Sequence, residues 1–276
     1  MRREIMKLTF LRHSGFLLET GSCYLVFDCC RTEEEIRNAL REGGRDESEG
    51  SGADALLPAL SGEKPLIVFV SHSHYDHFDE AIFGLSEQYG RERVSYVLSS
   101  DIGEIDDIRE RLSDRIHVMG PHETLALGPV LIRTLRSNDA GVAYLVQADG
   151  AYIYHAGDLQ YWEWPGEPEA DNRHYRDTYL EELETLSEYL QGKELFLSML
   201  VLDERQEAAA YLGIDQFLRR IRTRYAVPMH SFGHYGINSA YAAHLEALKE
   251  KGDIPSGVRY LPVSHAGENF ILDDYT

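Results

Sequence analysis

The sequence predicts an α/β chain, an αββα sandwich in which two mixed β-sheets pack face to face with helices on the outer faces. Three observations predict it. Apolar or alternating runs of strand length recur along the chain, among them Leu66–Val70 and Leu195–Val201. Helical stretches with start and stop signals lie between them, so meanders and crossovers occur together. With 276 residues, 43% of them hydrophobic, the chain can bury a sizeable core. A single domain over residues 1–276 is expected, without repeats of solenoid period.

The chain opens as a hairpin. Residues 8–11 and 16–19 are strand-like, Thr20-Gly21-Ser22 turns, and Tyr24–Phe27 is the next strand. Thr32-Glu33-Glu34-Glu35 has the form of a capping box and predicts a helix over 32–41. The glycine-rich, acidic stretch 43–64 reads as a mobile surface loop, with a short helix at 53–60. Leu66–Val70 is wholly apolar, as in a buried central strand. Asp79 is placed to cap a helix over 80–89, followed by a strand at 94–98 and a helix at 104–112. Strands are then expected at 116–118, 130–135, 142–147 and 152–155, the last two joined by the hairpin dipeptide Asp149-Gly150. A helix over 173–190 stops at Gly192, Leu195–Val201 is a strand, 215–224 a helix and 226–229 a strand. Asn238 is expected to cap a helix running to about residue 250, and two strands end the chain.

Composition narrows the function. No apolar run approaches the length of a membrane span, and the opening Met-Arg-Arg-Glu-Ile-Met-Lys lacks a signal core, so a cytoplasmic protein is expected. The three cysteines, Cys23, Cys29 and Cys30, form no Cys-x-x-Cys pair and read as buried apolar residues in a reducing compartment. A formal net charge of −20 repels phosphodiester backbones, so the expected partner is a small-molecule substrate and not nucleic acid. Self-association into a homo-oligomer stays open.

The chemistry concentrates in His72-Ser73-His74-Tyr75-Asp76-His77, directly after the buried strand. In extended chain, positions two apart point the same way, so His72 and His74 can reach one metal together. After a turn, Asp76 and His77 address a neighbouring position. Imidazole and carboxylate suit zinc, and manganese or iron as well.

This run resembles the His-x-His-x-Asp-His motif of the metallo-β-lactamase superfamily. Other segments agree in order. Leu25-Val26-Phe27-Asp28 is similar to the superfamily's early strand ending in Asp. Tyr154-His155-Ala156-Gly157-Asp158 is similar to the strand whose Asp bridges two metals. Val227-Pro228-Met229-His230 is similar to the late strand ending in a ligand His. Arg12-His13-Ser14-Gly15-Phe16 and the His-Ala-Gly-Asp step resemble the branch containing ascorbate-6-phosphate lactonase and other metal-dependent hydrolases. The match spans roughly residues 7–272. It implies two adjacent sites, one taking His72, His74 and Asp158, the other Asp76, His77, Asp158 and His230. Asp28 would orient a ligand from behind. The implied cofactor is one or two divalent ions, Zn2+ with Mn2+ or Fe2+ as alternatives.

The resemblance breaks at one place. Where the family has another histidine after a mid-chain strand, this chain reads Thr134-Leu135-Arg136-Ser137-Asn138-Asp139. The position is then filled by water, or by Asp139, or the site is weak. As a plain loop residue Asp139 would make the turn before Gly141. Arg136 either faces the substrate or is solvated. His230, ending an apolar strand, is preferred over His234 as ligand, and His234 is left as a substrate or proton-transfer group beside Asp76. His13, His155 and His265 read as structural, with the alternative that His13 approaches the site from the N-terminal end and His265 from the C-terminal end. Tyr161, Trp162 and Trp164 either wall a pocket or pack against the 173–190 helix. Asp203-Glu204-Arg205, at another sheet exit, either lines the cleft or is solvated loop charge.

The reading is a metal-dependent hydrolase acting on an ester, lactone, amide or phosphodiester. Three alternatives stand beside it: a catalytically silent metal-binding member of the fold, a non-hydrolytic di-iron redox protein, and a nuclease, against which the net charge of −20 argues.

Overall fold

In this computed structural model, residues 5–29, 62–74, 76–102, 109–110 and 112–273 are described. The expected helix at 32–41, the bulk of the 43–64 loop with its 53–60 helix, most of the 104–112 helix, and Cys30 lie outside them. The chain forms two compact units, one of residues 1–120 with 265–276 and one of residues 121–264. Each contains a seven-stranded mixed sheet.

The first unit holds β1 (Met6–Arg12), β2 (Gly15–Glu19), β3 (Tyr24–Phe27), β4 (Leu66–Val70), β5 (Val94–Ser99), β6 (Ile116–Met119) and β14 (Asn269–Leu272). Their order is β14-β1-β2-β3-β4-β5-β6. The pairs from β14 to β3 are antiparallel, and those from β3 to β6 parallel. Every residue of β3 and β4 is buried, which is why both read as continuous apolar runs. Their paired Phe27 and Phe69 stack with ring centroids 4.7 Å apart. Each such buried side chain contributes about 1.5–3 kcal/mol. Cys23 and Cys29 are buried and form no disulfide among the described residues. The helix expected over 80–89 is a 3-10 turn, Glu80–Phe83, followed by the short α1 (Gly84–Tyr89). Gly84 is a poor helix former at the joint, and Phe83 supplies no side-chain cap.

The second unit holds β7 (Thr124–Leu127), β8 (Val130–Arg136), β9 (Val142–Ala148), β10 (Ala151–His155), β11 (Leu195–Val201), β12 (Thr223–Met229) and β13 (Arg259–Tyr260). The order is β13-β12-β11-β10-β9-β8-β7, antiparallel from β7 to β10 and parallel from β10 to β13. Asp149 and Gly150, with φ of 48° and 83°, make the tight β9–β10 turn. Strand β7 was not expected. Its alternation is weak because no residue is fully buried, but it pairs with β8 across Gly128, whose φ is 57°.

Helix α2 (Glu169–Leu190) starts earlier than expected, directly after Pro168, and ends at Leu190 as read, with Gln191 (φ 51°) and Gly192 (φ 79°) both left-handed. Helix α3 (Leu212–Arg220) also starts and ends earlier than read. Thr223 and Arg224, expected in that helix, instead open β12, where Thr223 pairs with Leu195 and shares a hydroxyl contact of 2.7 Å with Ser198. Asn238 lies inside α4 (Gly236–Lys251) and is not its cap, because its Nδ2 donates to Val263 O at 2.9 Å.

The two sheets share one plan, an antiparallel half joined to a parallel half. The chain's polar residues of interest fall at the carboxyl ends of parallel strands. Asp28 follows β3, the His72–His77 run follows β4, Asp158 follows β10, Asp203 follows β11 and His230 follows β12. That is where open α/β sheets present groups to ligands.

Candidate metal centre

The first unit gathers histidines around a buried carboxylate. Ser71, leaving β4, donates its N–H and hydroxyl to Asp28 Oδ1 and Oδ2 at 2.7 and 2.6 Å. Asp28 Oδ2 also accepts from His77 Nδ1 at 2.7 Å. With its proton on Nδ1, the His77 ring keeps Nε2 as its lone-pair nitrogen. Ser71 Oγ, whose proton points to Asp28, receives His72 Nδ1 at 2.9 Å, which likewise assigns the lone pair of His72 to Nε2. That Nε2 stands 3.0 Å from His74 Nδ1. Two ring nitrogens on a common ion, with bonds of about 2.1 Å, stand about 3.0–3.4 Å apart. His72 and His77 are fully buried, while His74 is exposed. Ser73 N donates to Asp101 Oδ2 at 2.9 Å and ties down the middle of the run.

His13, Asp76 and His77 bring ligand atoms within 4.8 Å of one another. His13 Nε2 lies 3.2 Å from Asp76 Oδ2. Burial pushes the Asp76 pKa up, but the His13 hydrogen bond and the positive potential of His77 and His13 outweigh it, holding the carboxyl well below the usual range. Asp76 is therefore an anionic donor at neutral pH.

The second unit gathers carboxylates around one histidine. His230, in a left-handed conformation (φ 69°) just past β12, lies with Nε2 3.5 Å from Asp158 Oδ1 and Nδ1 3.1 Å from Asp203 Oδ2. Burial lowers the His230 pKa, but the charge of Asp158 and the hydrogen bonds of Asp158 and Asp203 outweigh it and push it up to about 10. This environment favours positive charge at His230, which is what a divalent cation at Nε2 would supply. Asp203 is 0% exposed and also accepts from Arg205 N and Nε, both at 2.9 Å. Burial raises the Asp203 pKa, and the His230 and Arg205 hydrogen bonds bring it down to about 2. The donor sets of both units, imidazole nitrogens and carboxylate oxygens, fit a divalent ion.

Around His230 the second unit is aromatic. Trp162 lies edge-on to it at 6.0 Å, stacks on Trp164 at 5.2 Å, and donates Nε1–H to Asp158 O at 3.1 Å. Trp164 is bracketed through its backbone by Asn172 of α2 at 2.9 and 3.1 Å. The segment thus packs on α2 and also borders the Asp158–His230 pair. The Arg205 guanidinium lies 4.2 Å over Phe232. His234 is 64% exposed and ion-pairs with Glu204. Arg136 is exposed and donates its backbone N–H to Glu182. His155 is buried and accepts from Gly157 N, and exposed His265 meets the Ala266 carbonyl. Two residues carry more of the geometry than the sequence suggested. Asp203 is a buried partner of His230 and not a solvated charge. His13 holds Asp76. The signal for Asp203 was available: like Asp28, it follows almost at once on a fully buried strand, apolar here except for Ser198.

A family model described as a beta-lactamase superfamily domain matches residues 53–231. The chain belongs to the beta-lactamase superfamily. Within that superfamily it is 27% identical over 168 residues to a UPF0173 metal-dependent hydrolase of Desulforamulus reducens, covering 55% of this chain and 62% of the relative. It thus spans somewhat under two thirds of that relative's length. Igni18, a metallo hydrolase of Ignicoccus hospitalis, shares the fold with a TM-score of 0.59 at 15% identity, over 97% of this chain and 98% of the other. CmlA, a diiron beta-hydroxylase of Streptomyces venezuelae, shares it with a TM-score of 0.57 at 9% identity, over 99% of this chain and 54% of the other. This superfamily chain therefore has the metallo-β-lactamase fold.

Proposed function

We propose that this protein is a metal-dependent hydrolase of a small ester, lactone, amide or phosphodiester. The proposed metal donors are His72, His74, Asp76 and His77 of the first unit and Asp158 and His230 of the second. The observation that carries the reading is a pairing repeated in each unit, a buried histidine whose Nδ1 faces a buried carboxylate: His77 on Asp28 and His230 on Asp203. Such pairing fixes the tautomer and aims the remaining nitrogen at a metal. Membership of the superfamily and a relative named as a metal-dependent hydrolase support it.

When bound, the ion lowers the pKa of water to about 7 and polarises the attacked oxygen. The chain's own groups do the rest. Asp28 and Asp203 orient the two rings. Asp76, kept ionised by His13, accepts or passes a proton at its carboxylate. His234, exposed and paired with Glu204, is placed to exchange protons with solvent or with a leaving group. Trp162 borders Asp158 and limits water around it. Zinc is the first choice of ion, with manganese or iron as alternatives.

Elemental analysis and hydrolase assays on a substrate panel test this. Chelation is expected to abolish activity, and His74→Ala or Asp158→Ala to lose metal. A fully active metal-free protein overturns the proposal. A metal-loaded protein inert on the whole panel overturns its hydrolytic part.

A further inference from the structure

The second unit has a hollow of about 220 Å³ where α2 ends against its sheet. Arg133 of β8, Gln147 of β9 and Tyr152 of β10 line its sheet side, and Tyr189 and Lys193 close it from the end of α2. Gln147 pairs with Tyr152, and Arg133 pairs with Leu145 two residues before Gln147, so the pleat puts all three side chains on one face. Tyr152 is the second residue of β10, whereas Asp158 follows the other end of that strand. A drug-sized ligand needs a pocket of about 300–1,000 Å³, so this space suits a smaller group. Its cations are held by aromatic rings. Lys193 Nζ donates to the Tyr152 hydroxyl at 2.7 Å and lies 5.0 Å from the centre of that ring. The Arg133 guanidinium lies 5.1 Å from the centre of the Tyr189 ring, and its Nη1 donates to Tyr189 O at 3.2 Å. Among the described residues neither cation has a carboxylate partner, and each keeps donors unspent, since an ammonium has three N–H groups and a guanidinium five. No carboxylate is among the lining residues. Glu182 and Glu188 act on Tyr189, but Glu182 is bonded to His122 and to Arg136 N, and Glu188 is exposed to water. Glu194, next to Lys193, pairs with Arg224. The carbonyl end of α2 disfavours an anion weakly, and Arg133 on Tyr189 O offsets part of that. In a chain of 47 acidic and 27 basic residues, two cations share a hollow without a counter-charge. Like charges gathered in this way repel until an anion joins them.

We propose that this hollow binds the phosphate group of a small molecule, with Arg133 and Lys193 on its oxygens and the Gln147 amide donating beside them. Phosphate is favoured over carboxylate by the number of donors. A carboxylate has two oxygens, which one guanidinium fork already engages, whereas phosphate offers further oxygens to an ammonium and an amide arriving from other sides. The site includes none of the proposed metal donors and stands whether or not the hydrolase reading does.

The test titrates the full chain with inorganic phosphate, and separately with acetate, by calorimetry at constant ionic strength. Each titration is run with and without a chelator, so that phosphate held by a metal ion is recognised by its loss on chelation. Wild type is compared with Arg133→Gln, Lys193→Gln and, as a control for surface charge alone, Arg173→Gln. Circular dichroism and thermal melting report folding, and the exposed Lys193 gives a variant that leaves the core untouched. Wild type is expected to bind phosphate saturably in the millimolar range, with or without chelator, and acetate more weakly. Arg133→Gln and Lys193→Gln are each expected to weaken phosphate binding by about tenfold or more, on the scale of a lost charge-assisted hydrogen bond, and Arg173→Gln to leave it unchanged. Wild type that binds no phosphate, binding that vanishes on chelation, or binding that survives both pocket variants overturns the proposal. So does a loss matched by Arg173→Gln, which reports general charge, and acetate held as tightly as phosphate removes the preference for a phosphate group.

Discussion

At the scale of single residues, the second unit turns on Asp203. This carboxylate is fully buried, and its two oxygens serve the Arg205 side chain and His230 Nδ1 together. Asp203→Asn keeps the volume but removes the charge that fixes the imidazole proton on Nδ1. Metal affinity is expected to fall by about 10–100-fold, read by chelator competition, with little change in the circular dichroism spectrum. An unchanged affinity would make Asp203 merely a partner of Arg205. Backbone conformation marks the same residues. His13, Asp28 and His230 all have positive φ, at 48°, 42° and 69°. Non-glycine residues adopt that region at a cost of about 1–2 kcal/mol, which the surrounding hydrogen bonds must offset.

At the scale of elements, what matters is how strand ends are held. After β10 a chain of amides sets the course of the backbone. Gln160 Nε2 donates to Val201 O and to Gln206 Oε1, both at 3.3 Å, and Gln160 Oε1 accepts from Tyr161 N at 3.0 Å. Gly213, in the first turn of α3, is what leaves room for this. A Cβ there would lie 1.8 Å from Gln160 Oε1. Gly213→Ala must displace a buried, fully engaged amide, and is expected to cost about 1–3 kcal/mol. Thermal unfolding checks it; a variant as stable as wild type would show that Gln160 moves freely.

The same scale explains what could be read from sequence. Strands β3, β4 and β11 were legible because burial on both faces leaves an apolar run, broken only by Ser198 in β11. The residues that follow them stood out by contrast. Helix ends were misplaced where a distant partner decides the outcome: Ser198 draws Thr223 into β12, and Val263 engages Asn238 within α4. The pairing of Asp203 with His230 and of His13 with Asp76 was illegible for the same reason. Each links positions that only strand order brings together, 27 residues apart in one case and 63 in the other.

For the whole molecule, composition and topology set the terms. A net charge of −20 is expected to leave the protein unable to bind single- or double-stranded DNA, even at low salt where attraction is least screened. A fluorescence anisotropy titration checks this, and saturable binding would reopen the nuclease class. Among the described residues, no helix is long and apolar enough to cross a membrane. The shared plan of the two sheets was not legible from periodicity, since equivalence of strand order leaves no trace in residue spacing.

That strand order also dictates a timetable for synthesis. The β1–β14 ladder pairs Met6 with Leu272, so the first unit's outermost strand leaves the ribosome after every residue of the second. Nascent chain must carry an unfinished sheet edge while the whole second unit is being made, and contacts this far apart close slowly. Residues 121–264, by contrast, form one uninterrupted stretch that can settle while the older unit still waits for its last strand.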